Sequence, residues 1–352
     1  MMEMAGELTG WAFWLPLIWA VLIALAVFFY VCMDGFDLGI GILFPFMRDK
    51  SERDVAVNSV APVWDGNETW LVLGGGGLLA VFPLAYAVVL PALYIPLILM
   101  LLALIFRGVA FEMRFRAENN TQQMWWDRSF SWGSMIAAFS QGVALGAFVQ
   151  GIQVEGRAYA GGWWDWLSPF SVLTGVALII GYGLLGACWL LWKTEGALHR
   201  RAVALAWPFA VGTVVAILLV SAIMPFLQPA FAERWLTFPN LLYAAPVPLL
   251  VALIIWRFFH ALAEDTGRGG LVDARPFLLA LGLFALSYAG LGVSMWPMIV
   301  PPAFDIWQAA APPASQSFLL VGAAVLIPII LAYTGYVYWI FRGKVTNETG
   351  YH

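Results

Sequence analysis

The chain has 352 residues, of which 62% are hydrophobic and only 11% charged, and its formal net charge is -4. With a mean hydropathy of +0.84 and apolar runs of about 20 residues recurring along its length, it reads as a polytopic membrane protein of all-α class. This composition gives no support to nucleic-acid binding, and the two cysteines, Cys32 and Cys188, both lie in apolar runs, which argues against a disulfide framework or a zinc site.

Segments able to span a membrane are expected at about residues 12–44, 69–90, 92–113, 130–151, 170–193, 203–226, 241–262, 275–299 and 317–341, which gives nine helices in a single integral membrane domain covering 1–352. Two four-helix bundles plus one peripheral helix would accommodate them. Met1 to Gly10 carries Glu3 and Glu7 and no basic residue, so the first run reads as a retained span rather than a signal peptide. Pro91 disfavours helix in the residue before it and supports a break between the second and third spans.

Basic residues orient the chain, because cytoplasmic loops carry an excess of Lys and Arg. With nine spans, all but Arg157 and Arg234 of the 17 Lys and Arg residues fall on one side, which places the N-terminus outside and the C-terminus inside. Trp125 and Trp126 then lie at the inner interface and Trp163, Trp164 and Trp166 at the outer one, as aromatic belts do. The run Gly74 to Gly77 suits close helix packing.

Within this apolar chain the polar clusters carry the functional signal, since an ionisable group at membrane depth is costly unless it is paired or wetted. Asp34 and Asp37, one helical turn apart, read either as a protonatable pair or as cation partners inside the bundle; the alternative is a helix end already in the headgroup region. Asp65 and Glu68 open the second span between Trp64 and Trp70, where they could handle protons or form a capping-box-like start. Arg107 lies too far from Glu112 along the helix for direct stacking, so it needs a partner elsewhere or must snorkel to the interface; Asp37, at similar depth, is the expected partner. His199, His260 and His352 all fall in or beside expected cytoplasmic segments, so the sequence offers no transmembrane histidine to ligate a haem or metal.

The motifs Asp34-Gly-Phe-Asp-Leu-Gly-Ile-Gly41, Asn58-Ser-Val-Ala-Pro-Val-Trp-Asp-Gly-Asn-Glu68, Phe106-Arg-Gly-Val-Ala-Phe-Glu-Met-Arg114 and Val325-Leu-Ile-Pro-Ile-Ile-Leu-Ala-Tyr-Thr334 resemble subunit II of the cytochrome bd quinol oxidases, over essentially the whole chain. The stretch Val300 to Ser315 looks more like the cyanide-insensitive branch than the enterobacterial one.

The resemblance implies a heterodimer in the bacterial cytoplasmic (inner) membrane. Subunit I would hold two b haems and one d haem, oxidise quinol near the outer face and reduce oxygen to water, while this chain binds no redox centre itself. It also implies membrane lipids, a possible small accessory subunit and a possible structural quinone or lipid as partners. Carried over residue by residue, Asp65 is the first candidate for proton transfer, with Glu68 and Asp34 as further candidates. Asp37 and Arg107 would support the haem region across the interface, with Trp64 and Glu112 grouped beside them. The competing readings are a proton-coupled secondary transporter, which would favour repeats and a midplane site, and a purely structural subunit.

Overall fold

The computed structural model describes residues 10–264 and 271–346, and His352 and Arg268 lie outside that range. Helix α1, Trp11–Leu43, continues into a 3-10 turn at Phe44–Phe46. Then follow α2 (Lys50–Asn58), α3 (Trp64–Val81), α4 (Pro83–Ala92), α5 (Tyr94–Phe115) and α6 (Asn120–Gln150). A two-stranded hairpin, β1 (Val154–Glu155) and β2 (Ala158–Tyr159), leads to α7 (Pro169–Lys193) and α8 (Gly196–Leu227). The short α9 (Pro229–Leu236) and α10 (Asn240–Ala244) precede α11 (Pro246–Ala263) and α12 (Leu271–Met295). The antiparallel pair β3 (Met298–Val300) and β4 (Phe304–Asp305) precedes α13 (Pro313–Ile340).

Among the described residues, eight helical segments are long and apolar enough to cross a membrane, which makes the chain an all-α, multi-pass membrane protein. The expected second span, 69–90, is not among them as one continuous helix. Pro83 removes an amide donor and excludes the preceding residue from helical geometry, so Phe82 adopts φ -124 and ψ 60, and the segment divides into α3 and α4. Pro91 stays inside α4, and the break before α5 comes at Leu93 (φ -108, ψ 16). The expected span at 130–151 starts ten residues early, because the Asn119 side chain caps α6 by accepting from the Gln122 amide at 2.9 Å and the polar first turns then run outside the apolar stretch. At the other end of the chain, the expected 275–299 helix stops at Met295 and residues 298–300 form β3.

Consecutive helices α5, α6, α7 and α8 pack side by side, and α1 lies against α3, α6 and α7. The tightest crossing is between α1 and α7 at Gly39 and Gly186, where a Cβ on Gly39 would stand 2.0 Å from the Tyr182 carbonyl oxygen. Only residues without side chains allow backbones this close. The crossing sets Phe36 flat on Trp189, with centroids 4.1 Å apart and planes at 15°, and it places the second half of α1 in the centre of the bundle. Helix α13 is the opposite case: none of its most apolar stretch is buried within this chain.

The short α2 is fixed at one end of the bundle by ion pairs on both flanks. Arg53 and Arg114 share Asp127 at 3.1 and 2.6 Å, Arg114 also meets Asp54 at 2.7 Å, and Arg201 of α8 meets Glu52 at 3.1 Å. This matters for the site, because α2 leads directly into the first turn of α3.

Candidate functional site: a buried ionic cluster between α1, α3 and α5

Asp34 and Asp37 leave α1 just before its crossing with α7, and both are fully buried. They are reached from α5 by Arg107, itself 1% exposed, whose Nη1 lies 2.8 Å from Asp34 Oδ1 and 3.9 Å from Glu68 Oε2. The first turn of α3 supplies the remaining polar groups. Asn67 donates from Nδ2 to Asp37 Oδ2 at 2.7 Å and, more weakly, to the Met33 carbonyl at 3.4 Å, and it accepts at Oδ1 from the Tyr338 hydroxyl of α13 at 2.8 Å. Trp64 stacks on Phe111 at 4.9 Å and presents its face to the Arg107 guanidinium at 5.9 Å, closing the cluster on one side.

The sequence puts Arg107 in reach of α1 because α5 and α6 nearly touch beside it. A Cβ on Gly133 would lie 2.8 Å from the Ala103 carbonyl and 3.1 Å from the Arg107 amide nitrogen. An arginine so held cannot snorkel, and its charge must be balanced within the bundle.

The expected partnership of Arg107 with Asp37 is therefore corrected: the ion pair is Arg107 with Asp34, and Asp37 bonds to Asn67 instead. Depth alone could not separate two acids one turn apart; the direction in which each leaves α1 does. The capping-box reading of Asp65 is also overturned. Helix α3 begins at Trp64, its N-cap position is Val63, and no side chain caps it, so Asp65 stands exposed in the first turn. Glu112, grouped with the site on sequence grounds, is exposed on α5 and takes part in none of the cluster's hydrogen bonds or ion pairs.

Asp65, Glu68 and Asp34 thus form a gradient of exposure rather than one group. Asp65 is at the surface, the Glu68 side chain is 27% exposed, and Asp34 is fully enclosed behind Arg107. Four buried polar atoms of the cluster, Asp34 Oδ2, Asp37 Oδ1, Arg107 Nε and Arg107 Nη2, make no hydrogen bond among the described residues. Such groups are rare in packed interiors, and each leaves a donor or acceptor open to a further polar partner.

Sequence reasoning missed Tyr338 and underrated Asn67. Asn67 lies between the two acids of its motif, but an amide that is neutral in all states gives no charge signal. Tyr338 lies in an apolar helix whose approach to α3 has no counterpart in local pattern.

The two described histidines stand at helix ends. His199 is buried in the first turn of α8, with Nδ1 2.9 Å from the Leu191 carbonyl, and His260 is exposed in the last turn of α11. Among the described residues no group of three or more His, Cys, Asp or Glu is placed to hold a metal ion.

The chain is a multi-pass helical membrane protein that holds a compensated arginine and two acids inside its bundle. Residues 15–341 match the family described as cytochrome bd terminal oxidase subunit II, and the chain belongs to that family. It is 30% identical over 369 residues to the cytochrome bd-I ubiquinol oxidase subunit 2 of Escherichia coli strain K12, covering 95% of this chain and 96% of that protein. Its identity to the cytochrome bd ubiquinol oxidase subunit 2 of Bacillus subtilis is 28%, covering 94% and 97%. The fold matches a chain of the bd oxidase from Geobacillus thermodenitrificans with a TM-score of 0.72 at 17% identity, covering 93% of this chain and 98% of that one. The protein is accordingly a subunit of an oxidoreductase complex.

Proposed function

We propose that this chain is the haem-free subunit II of a bd-type quinol oxidase in the bacterial inner membrane. It supports a haem-bearing subunit I, which oxidises quinol and reduces oxygen to water, and it carries part of the proton uptake from the cytoplasmic side. In this reading α3 and α4 together make the second of nine spans, the N-terminus is outside and the C-terminus inside, and the helices form two four-helix bundles with α13 peripheral. The haems b and d belong to subunit I. Lipids, a structural quinone and a small accessory subunit are partners compatible with the exposed apolar faces.

The observation that carries the proton role is the graded series Asp65, Glu68, Arg107 and Asp34, running from exposed to enclosed on the end of the bundle where the basic residues concentrate. Protons drawn from one side for oxygen reduction, while quinol releases its own on the other, separate charge without a pump. Each charge so moved is worth about 2.3 kcal/mol per 100 mV. Glu68 is the relay in this series because it alone is both partly wetted and within 3.9 Å of Arg107. Arg107 holds the fixed positive charge that keeps an anionic Asp34 tolerable in an apolar interior. Asp37 and Asn67 tie the relay to α13 through Tyr338.

The test is turnover of the intact oxidase carrying Asp65→Asn or Glu68→Gln. Glu68→Gln is expected to slow oxygen reduction about tenfold or more, since positioned acid-base groups contribute at least this much, with little effect on the quinol KM. Asp65→Asn should have a smaller effect, because solvent can replace an exposed carboxylate. Normal turnover in both variants would leave the chain a structural subunit.

A further inference from the structure

A second polar line crosses the bundle behind Asp34 and lies outside the route from the surface. The Tyr182 hydroxyl of α7 donates to Gln141 Oε1 of α6 at 2.9 Å, and Gln141 Nε2 donates to the Tyr30 hydroxyl of α1 at 2.6 Å. Tyr182 is completely enclosed, with its ring stacked on Phe284 at 6.2 Å and fitted against Gly35, where a Cβ would stand 2.8 Å from Tyr182 Cε1. Tyr30 is 4% exposed. The line therefore ends blind at α7 and leads no proton out of the protein.

Its direction is what matters. An amide has a donating and an accepting end, so once Tyr182 donates into Gln141, the amide nitrogen must donate to Tyr30. The Tyr30 oxygen is then an acceptor on one side, and its own proton has to point elsewhere. The Asp34 carboxyl follows one turn further along the same face of α1, and its Oδ2 is a buried acceptor that makes no hydrogen bond among the described residues. The opposite amide orientation would turn the Tyr30 proton toward Gln141 and leave that oxygen with no donor, a costly arrangement in a closed interior.

We infer that Tyr30, oriented through Gln141 by Tyr182, is a positioning residue for Asp34: it supplies the one hydroxyl donor that steadies the Asp34 carboxylate opposite Arg107 and so sets how readily that group exchanges a proton. The inference rests on the reading of Asp34 as part of the proton route. The charged and titratable groups facing Asp34 are Asp37 and Tyr30 on its own helix, Arg107 on α5, Glu68 on α3, Tyr182 on α7 and Tyr338 on α13. Among these, Tyr30 and Tyr182 can be altered by one oxygen atom with no change of charge.

The experiment is a variant cycle on the assembled oxidase with Tyr30→Phe, Gln141→Leu, Asp34→Asn and Tyr30→Phe/Asp34→Asn, scored by kcat, quinol KM and haem content. Loss of one hydrogen bond to a charged group is expected to lower kcat about tenfold to a hundredfold in Tyr30→Phe, with KM and haem content unchanged. Gln141→Leu should lower kcat less, since the hydroxyl remains but is no longer directed. The double variant should be no slower than Asp34→Asn alone, because Tyr30 acts only through Asp34. A packing role for Tyr30 would instead reduce haem content or multiply with Asp34→Asn, and either result, like a wild-type kcat in Tyr30→Phe, overturns the inference. If Asp34→Asn itself turns over normally, the proton reading fails and the inference fails with it. An impaired Asp34→Asn beside an unaffected Tyr30→Phe removes the positioning role alone.

Discussion

Arg107→Gln is expected to destabilise the folded chain by about 3 to 5 kcal/mol, the usual loss when one member of a buried ion pair is removed and the other charge stays behind. Asp34 would be that stranded charge, since it is fully buried and Arg107 is the cation bonded to it at 2.8 Å. Asp34→Asn should cost less, because Arg107 retains Glu68 at 3.9 Å as a second acidic neighbour. Combining the two substitutions removes both charges, so the double variant is expected to be more stable than the summed single losses imply. Thermal inactivation of the purified complex across the four proteins measures this coupling. Strictly additive losses would mean that the two side chains do not depend on each other. Asp37→Asn serves as the contrast: Asp37 bonds to Asn67 and acts on the arginine only through space, so it should couple to Arg107→Gln more weakly than Asp34→Asn does.

The other large effect expected is steric. In Gly39→Val the new Cβ would fall 2.0 Å from the Tyr182 carbonyl oxygen and 2.8 Å from the Gly186 amide nitrogen of α7. The atoms met are all α7 backbone and cannot rotate away, so the cost should exceed the about 1 to 3 kcal/mol of ordinary overpacking and separate α1 from α7. The yield of membrane-inserted, haem-loaded complex should fall to a small fraction of normal. Gly66→Ala is the control, because a Cβ there meets nothing within 4 Å. Wild-type yield of the Gly39→Val complex would show that α1 and α7 do not cross as described.

Much of this architecture is legible in the sequence because membrane helices announce themselves by hydropathy, and the long spans of α1, α5, α7 and α13 fall within a few residues of the apolar runs. The departures have physical causes. A glycine-rich and acid-bearing segment such as Trp64–Val81 is only weakly apolar, and Pro83 adds a division at Phe82 to the expected break near Pro91, which falls at Leu93. The polar start of α6 is invisible to a hydropathy reading, since its first turns lie beyond the apolar stretch and are secured by an asparagine cap.

At the site, charge made Asp34, Asp37, Glu68 and Arg107 visible, while pairing was not, because two acids on one face differ only in the direction of their side chains. Neutral participants were missed for the same reason. Asn67, Gln141 and the three tyrosines, Tyr30, Tyr182 and Tyr338, connect groups far apart in the chain, with separations such as 271 residues between Asn67 and Tyr338. No local pattern encodes a contact of that range.

Proton uptake measured directly, with the oxidase reconstituted in liposomes and a pH indicator on the side bearing the cytoplasmic loops, tests the central claim most closely. During oxygen reduction, Glu68→Gln and Asp34→Asn are each expected to slow uptake from that side by about tenfold or more while quinol binding stays normal. Uptake at the wild-type rate in both variants, in complexes with full haem content, would contradict a proton route through the cluster of Glu68, Arg107 and Asp34.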